Sequence, residues 1–307
     1  MLGVLEGFSV VWIIILVGWF VGRRDILGSN GQTVLSRLSF FVASPALLVE
    51  TLSQAKLGAV FAQPLLVAAS SAVMTGALFW LIAKFWLKRS VSESLLAAMS
   101  SSTANAANLG LPIAAYVLGD AAAIAPVLIF QLAFYTPAYL MLLDSTTSGH
   151  RTTPARVVLQ ILRNPMIVGT AIGLVLAATG WHLPELLASP IHLIAGAAIP
   201  SILMAFGMSL SVKRAAAIDD RRTDWILATC FKLLVHPVLA YVVGHYVLGL
   251  TAHALFAVVV AAALPTAQNI FVAAQRYQVG IPVARNTVLA TTILAIPAMF
   301  VVALLLG

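Results

Sequence analysis

Apolar residues in this chain come in long blocks, separated by short clusters of charge, proline and glycine. A bilayer core about 30 Å thick takes roughly 20 residues of helix at a rise of about 1.5 Å each. Reading the apolar blocks on that scale predicts ten spans, over 5–22, 36–53, 60–83, 94–118, 122–143, 158–180, 190–211, 225–248, 254–276 and 284–306. No linker is long enough for a soluble domain. The longest polar interruptions are Ser145–Arg156 and Lys213–Asp224. Glu6 precedes the first block and Arg23-Arg24 follow it. A secretory leader carries its positive charge in front and a small-residue cleavage site behind, so this block is expected to be a retained span.

Composition strengthens that picture. Of 307 residues, 61% are hydrophobic and 9% are charged, with a mean hydropathy of +1.03. A soluble domain carries about 25% charged residues, so most of this surface must meet lipid, and a plasma or inner cell membrane is the expected home. The net charge of +7 is too thinly spread for a nucleic-acid face. Its placement follows topology instead. Fifteen of the seventeen basic residues fall in one set of alternate loops, Arg23, Arg24, Lys84, Lys88, Arg89, Arg151, Lys213, Arg214 and Arg221 among them. The other set holds Lys56 alone, and Lys232 lies inside span 8. Basic loops stay in the cytoplasm, which predicts an even number of spans and both termini on the non-cytoplasmic side.

The two halves of the chain echo each other. Span 1 has Gly18-x-x-x-Gly22 and span 6 has Gly169-x-x-x-Gly173; span 2 carries Pro45 and span 7 carries Pro200. Asn108, Tyr116 and Gly119 are spaced by eight and three, as are Asn269, Tyr277 and Gly280. Five spans per repeat make the halves, 1–157 and 158–307, opposite in orientation. Inverted repeats with interrupted helices at matching positions point to a secondary transporter.

Two spans carry polar interruptions. Span 4 reads from Ser100 through Asn105 and Asn108 to Gly110 and Pro112, and span 9 has Pro265-Thr-Ala-Gln-Asn269 at the matching depth. Proline lacks an N–H and its ring crowds the carbonyl four residues back, while glycine loosens the backbone. Gly110, Pro112 and Pro265 are therefore the expected helix breaks. Irregular backbone at membrane depth is tolerated only inside protein or beside a wet cavity. If the broken spans cross, their half-helix N-termini favour an anion. Asn105, Asn108, Gln268 and Asn269 can add amide donors without charge, which suits a carboxylate that must be released again. The competing reading is that these amides only cap the broken helices.

The stretches Phe41-Val-Ala-Ser-Pro-Ala-Leu-Leu, Asn105-Ala-Ala-Asn-Leu-Gly-Leu-Pro-Ile, Arg163-Asn-Pro, Lys232 to Pro237 and Pro265-Thr-Ala-Gln-Asn resemble the auxin efflux carrier family, and the resemblance extends over essentially the whole chain. It implies an all-α polytopic membrane protein of ten helices, a 5+5 inverted repeat with crossed, broken helices 4 and 9, like sodium/proton antiporters and bile acid symporters. Spans 1, 2, 6 and 7 would form a scaffold and homodimer face, and spans 3–5 and 8–10 a moving transport domain. The family's crossover asparagines match Asn108 and Asn269, and its substrate-side glutamine and tyrosine match Gln131 and Tyr135. The plant members' lysine in span 2 is replaced by Ser44, and span 3 lacks their aspartate, so auxin itself is not the expected substrate.

No histidine or cysteine cluster has metal-ligand spacing, the single Cys230 excludes an intramolecular disulfide, and no cofactor is expected. His236 is read as a packing residue. No catalytic motif or acid–base–nucleophile set appears, so an enzyme is not expected. Lys232 can bond backbone carbonyls, meet substrate, or snorkel. Glu93 and Asp120 flank span 4 rather than its middle, which leaves no carboxylate beside the breaks for a coupling ion. The expectation is an elevator-type exporter of a small organic anion without an obligatory coupling ion; a sodium- or proton-coupled symporter of the bile acid type is the alternative.

Overall fold

The computed structural model describes residues 2–54, 63–147, 154–211 and 221–307. Lys56, Arg151, Lys213 and Arg214, four of the basic residues behind the orientation argument, lie outside the described residues. Among the described residues the secondary structure is helical, with no strand and a single isolated antiparallel bridge, Ala104 with Thr266. Among the described residues six helices are long and apolar enough to cross a membrane: Gly31–Ser53, Gln63–Trp86, Ala121–Thr147, Glu185–Ser211, Arg222–Val247 and Ile281–Leu306. Shorter apolar helices include Ser9–Arg23, Pro165–Thr179 and Ala252–Ala263.

Among the described residues three predicted spans are divided by gaps of two residues or more, while span 7 is interrupted only at Ala197, between Glu185–Gly196 and Ala198–Ser211. Span 6 is interrupted between Pro154–Leu162 and Pro165–Thr179, where the Asn164 side chain accepts from the Met166 N–H at 3.0 Å and Pro165 opens the next helix. Asparagine at the cap followed by proline in the first turn is a strong helix start, so the apolar run conceals a boundary. Span 4 is divided between Val91–Ser102 and the helical segment 106–116, and span 9 between Ala252–Ala263 and Asn269–Tyr277.

Several mid-span prolines do not break their helices. A π-turn is one residue wider than an α-turn and relieves the clash of the proline ring with the preceding carbonyl. Ser39–Ala43 precedes Pro45, Ala106–Gly110 precedes Pro112, Gln131–Tyr135 precedes Pro137 and Phe231–Val235 precedes Pro237. Span 4 accordingly leaves the helix at Thr103–Asn105, ahead of Gly110 and Pro112, which lie within the second half-helix.

The chain divides into two compact units. One comprises Met1–Phe61, Ala107–Ala125 and Ile161–Ala217. Its helices approach closely at glycine, as membrane helices do in the absence of a hydrophobic driving force. Leu2–Arg23 packs on Ala198–Ser211: a methyl on Gly18 would run into the Met204 backbone, and one on Gly22 would lie 2.9 Å from Met208 Cα. Pro165–Thr179 packs on Ser44–Ser53 in the same way. A methyl on Gly169 would lie 2.6 Å from the Pro45 carbonyl oxygen, and one on Gly173 would lie 2.8 Å from that of Leu48.

The other unit comprises Ala62–Ala106, Pro126–Gln160 and Ile218–Gly307. Leu96, Met99, Leu143 and Ile270 form one part of its core, and Val67, Leu255 and Val259 another. Ser90 starts the Val91–Ser102 helix with a reciprocal capping box: Glu93 N–H donates to Ser90 Oγ at 3.3 Å, and Ser90 N–H to Glu93 Oε2 at 3.1 Å. The same end is tied by ion pairs. Arg89 donates twice to Asp224, both at 2.9 Å, and Arg221 reaches Glu93 at 2.7 Å.

Candidate functional site

The second unit contains the two facing breaks. Ser100, Ser101 and Ser102 are buried, and each hydroxyl donates back to its own helix, to Leu96 or Ala98. Serine competes in this way with the helical ladder, and the helix ends at Thr103 in extended conformation. Leu264 is likewise extended, as the residue before a proline tends to be.

Backbone groups released at membrane depth must find partners. Each break supplies them to the other. Asn105 N–H donates to the Pro265 carbonyl at 2.8 Å, and Ala267 N–H to the Thr103 carbonyl at 3.2 Å. Side chains complete the set: Ala104 N–H donates to Gln131 Oε1 at 2.9 Å, and Thr266 N–H to Thr291 Oγ1 at 3.0 Å. Thr266 Oγ1 donates to the Ser100 carbonyl at 2.6 Å, and Thr291 is back-bonded to Thr287 at 2.7 Å.

Some donors remain over. The Asn105 side chain is 3% exposed, and its Nδ2 has no partner among the described residues. The N–H groups of Gln268 and Asn269 begin the Asn269–Tyr277 half-helix, and among the described residues neither finds an acceptor. Gln268 is half-buried and the Asn269 side chain is exposed. A helix start with free N–H groups, the positive end of its dipole and nearby amides is chemically an anion site.

The remaining predicted residues are distributed as follows. Tyr135 is buried, donating to the Ala72 carbonyl at 2.9 Å with Ser102 Oγ at 2.8 Å, so both it and Gln131 hold the break from behind. Lys232 is fully buried and does not snorkel; its Nζ bonds the Ala262 carbonyl and His236 Nδ1. Asn108, Gly110, Pro112 and Ser44 belong to the other unit, where Ser44 Oγ lies 3.1 Å from Ser39 Oγ. Thr266 and Thr291 were not singled out from the sequence. The sequence signal for Thr291 is its spacing of four from Thr287 on a span that also carries Arg285, Asn286 and Thr292. Among the described residues no three histidine, cysteine or carboxylate side chains gather as metal ligands.

A sequence profile described as membrane transport protein matches residues 4–303. The chain is 28% identical over 291 residues to a protein of Rhizobium meliloti (strain 1021) named "Putative malonate transporter", covering 92% of this chain and 89% of that one. It is 23% identical over 275 residues to "Uncharacterized transporter YfdV" of Escherichia coli (strain K12), with 87% and 86% covered. An "Uncharacterized transporter" of Methanothermobacter thermautotrophicus is 24% identical over 304 residues, 96% of each chain.

Proposed function

The chain belongs to the membrane transport protein family, that of the auxin efflux carriers, whose members are multi-pass transporters and not enzymes, and on that premise we propose that it exports a small carboxylate from the cell by alternating access. The observation that carries this reading is the pair of mutually bonded breaks with donors to spare: the Asn105 amide and the N–H groups of Gln268 and Asn269. Asn108, matched to Asn269 by the resemblance, lies in the other unit and enters the proposal through that resemblance alone. Gln131 and Tyr135 are proposed to shape the site from behind. The printed name of the Rhizobium relative makes malonate the first dicarboxylate to try.

The architecture we propose has ten spans in two inverted repeats, with helices 4 and 9 crossed at their breaks. Several features support the repeat. Leu2–Arg23 meets Ala198–Ser211 through Gly18 and Gly22, as Pro165–Thr179 meets Ser44–Ser53 through Gly169 and Gly173. Gly119 and Gly280, at equivalent places after the half-helices, both have positive φ, 73° and 55°. The bridge between Ala104 and Thr266 supports the crossing. We propose a scaffold of spans 1, 2, 6 and 7 and a transport domain of spans 3–5 and 8–10; the division into compact units supports it except at Ala107–Ala125, the second half of span 4 with the start of span 5, which falls with spans 1, 2, 6 and 7. A homodimer through the scaffold, residence in the cell membrane and non-cytoplasmic termini complete the proposal.

Outward movement of one negative charge down an inside-negative potential releases about 2.3 kcal/mol per 100 mV, so export needs no coupling ion. The test is substrate-evoked current in proteoliposomes for malonate, succinate and acetate, with and without sodium, in wild type and Asn269→Ala. Sodium-independent current lost in the variant supports the reading. Current that requires sodium moves it to a coupled symporter, and undiminished current in the variant removes the Asn269 side chain, though not its N–H, from the site.

A further inference from the structure

Lys232 occupies the π-turn Phe231–Val235 inside the Arg222–Val247 helix and is 0% exposed. A lysine is almost never fully buried unless paired. Among the described residues the usual partner, a carboxylate, is missing. The helices packed on this turn, Gln63–Leu81, Val91–Ser102, Ala252–Ala263 and Ile281–Leu306, carry one acid between them, Glu93, which is bonded to Arg221 on the first turn of its helix. Asp224, on the same helix as Lys232, is engaged by Arg89. Instead, Lys232 Nζ donates to the Ala262 carbonyl at 2.6 Å and lies 2.9 Å from His236 Nδ1.

Ala262 is in the last turn of Ala252–Ala263, the half-helix that leads into the second break. The final carbonyls of a helix lack intrahelical partners and carry the negative end of its dipole. Carriers with interrupted helices hold their coupling cation on such carbonyls. Here the Lys232 amine already occupies that place, donating to the Ala262 carbonyl with His236 Nδ1 2.9 Å away. We propose that Lys232 is a tethered cation that permanently fills this carbonyl site, so that the carrier works without an alkali-metal ion. This deepens the transport reading and rests on it for its functional consequence.

The structural half is tested without any substrate. The purified protein is unfolded thermally in sodium, lithium or choline chloride at matched ionic strength. Wild type is expected to show one midpoint in all three; a sodium- or lithium-specific rise would mean an open cation site and overturns the proposal. Lys232→Ala vacates the ammonium's place, so its midpoint is expected to fall in choline and recover in sodium or lithium. Its carboxylate flux is expected to drop roughly tenfold without alkali ion, the loss of one charge-assisted contact, and to return with it. A Lys232→Ala protein that responds to no alkali ion overturns the proposal whatever its flux. If the alanine variant is not recovered, Lys232→Gln is judged by the same criteria. A protein that carries no carboxylate at all would sink the transport reading and leave the midpoint comparison interpretable.

Discussion

Replacing Gln131 with leucine tests whether this residue acts through the break or on the substrate. Gln131 is 5% exposed, and its Oε1 is the acceptor of the Ala104 N–H at 2.9 Å. Leucine is of similar size but accepts nothing, so the substitution orphans a backbone donor in a closed interior. Leaving such a donor unsatisfied costs about 1–3 kcal/mol. For a chain of this size each kcal/mol lowers the thermal midpoint by about 2–4 °C, which places the expected fall at roughly 2–12 °C. Gln131→Glu keeps an acceptor oxygen in reach and is expected to recover part of that loss. Intrinsic tryptophan fluorescence during heating reads the midpoint, and proteoliposome flux reads function. If Gln131 holds the break, maximal flux falls while half-saturation moves little, the signature of a lost conformation rather than a lost contact. An unchanged midpoint with half-saturation raised roughly tenfold would refute this reasoning and make Gln131 a substrate contact.

Other outcomes follow from the same geometry. Gly169→Val puts a branched side chain where even a methyl lies 2.6 Å from the Pro45 carbonyl, so the monodisperse fraction in size-exclusion chromatography should collapse, whereas Gly196→Ala, in open space, should leave it unchanged. Asn105→Ala is expected to weaken carboxylate binding by roughly tenfold or more, as the loss of a charge-assisted hydrogen bond does, with little change in midpoint because its Nδ2 has no protein partner among the described residues. Glu93 gives a pH test. Burial pushes its carboxyl up, but the Ser90 hydrogen bonds and the charges of Arg221 and Arg89 outweigh it and hold the group below its ordinary value of 4.5. A depressed carboxylate stabilises the fold fully above the unfolded value, and that contribution is lost as pH falls through the folded one. The wild-type midpoint should therefore decline as pH drops below about 4.5, and Glu93→Gln should decline less steeply over that range.

The sequence by itself determined what depends on local chemistry. Long apolar blocks specify helices in lipid, since only helices or closed barrels satisfy the backbone there, and the described helices fall close to the predicted spans, Arg222–Val247 against 225–248 for instance. The motifs around Asn105 and Pro265 also pointed to the family that the comparison shows. The exact place of the first break was not legible. Gly110 and Pro112 marked it by local propensity, but a π-turn accommodates Pro112, and the chain leaves the helix at Thr103–Asn105 instead. That choice depends on acceptors remote in sequence, the Pro265 carbonyl and Gln131 Oε1, which exist at the break only once the helices have packed. The buried amine of Lys232 is a similar case. A lysine eight residues into an apolar span can snorkel or turn inward, and the Ala262 carbonyl with His236 decides the matter. Periodicity and composition fix which segments are helical, because each residue's backbone bonds and solvent preference are local. Where those helices end, and which polar groups are left to meet an anion, was decided by tertiary structure, because a buried donor is satisfied or free only according to what folds against it.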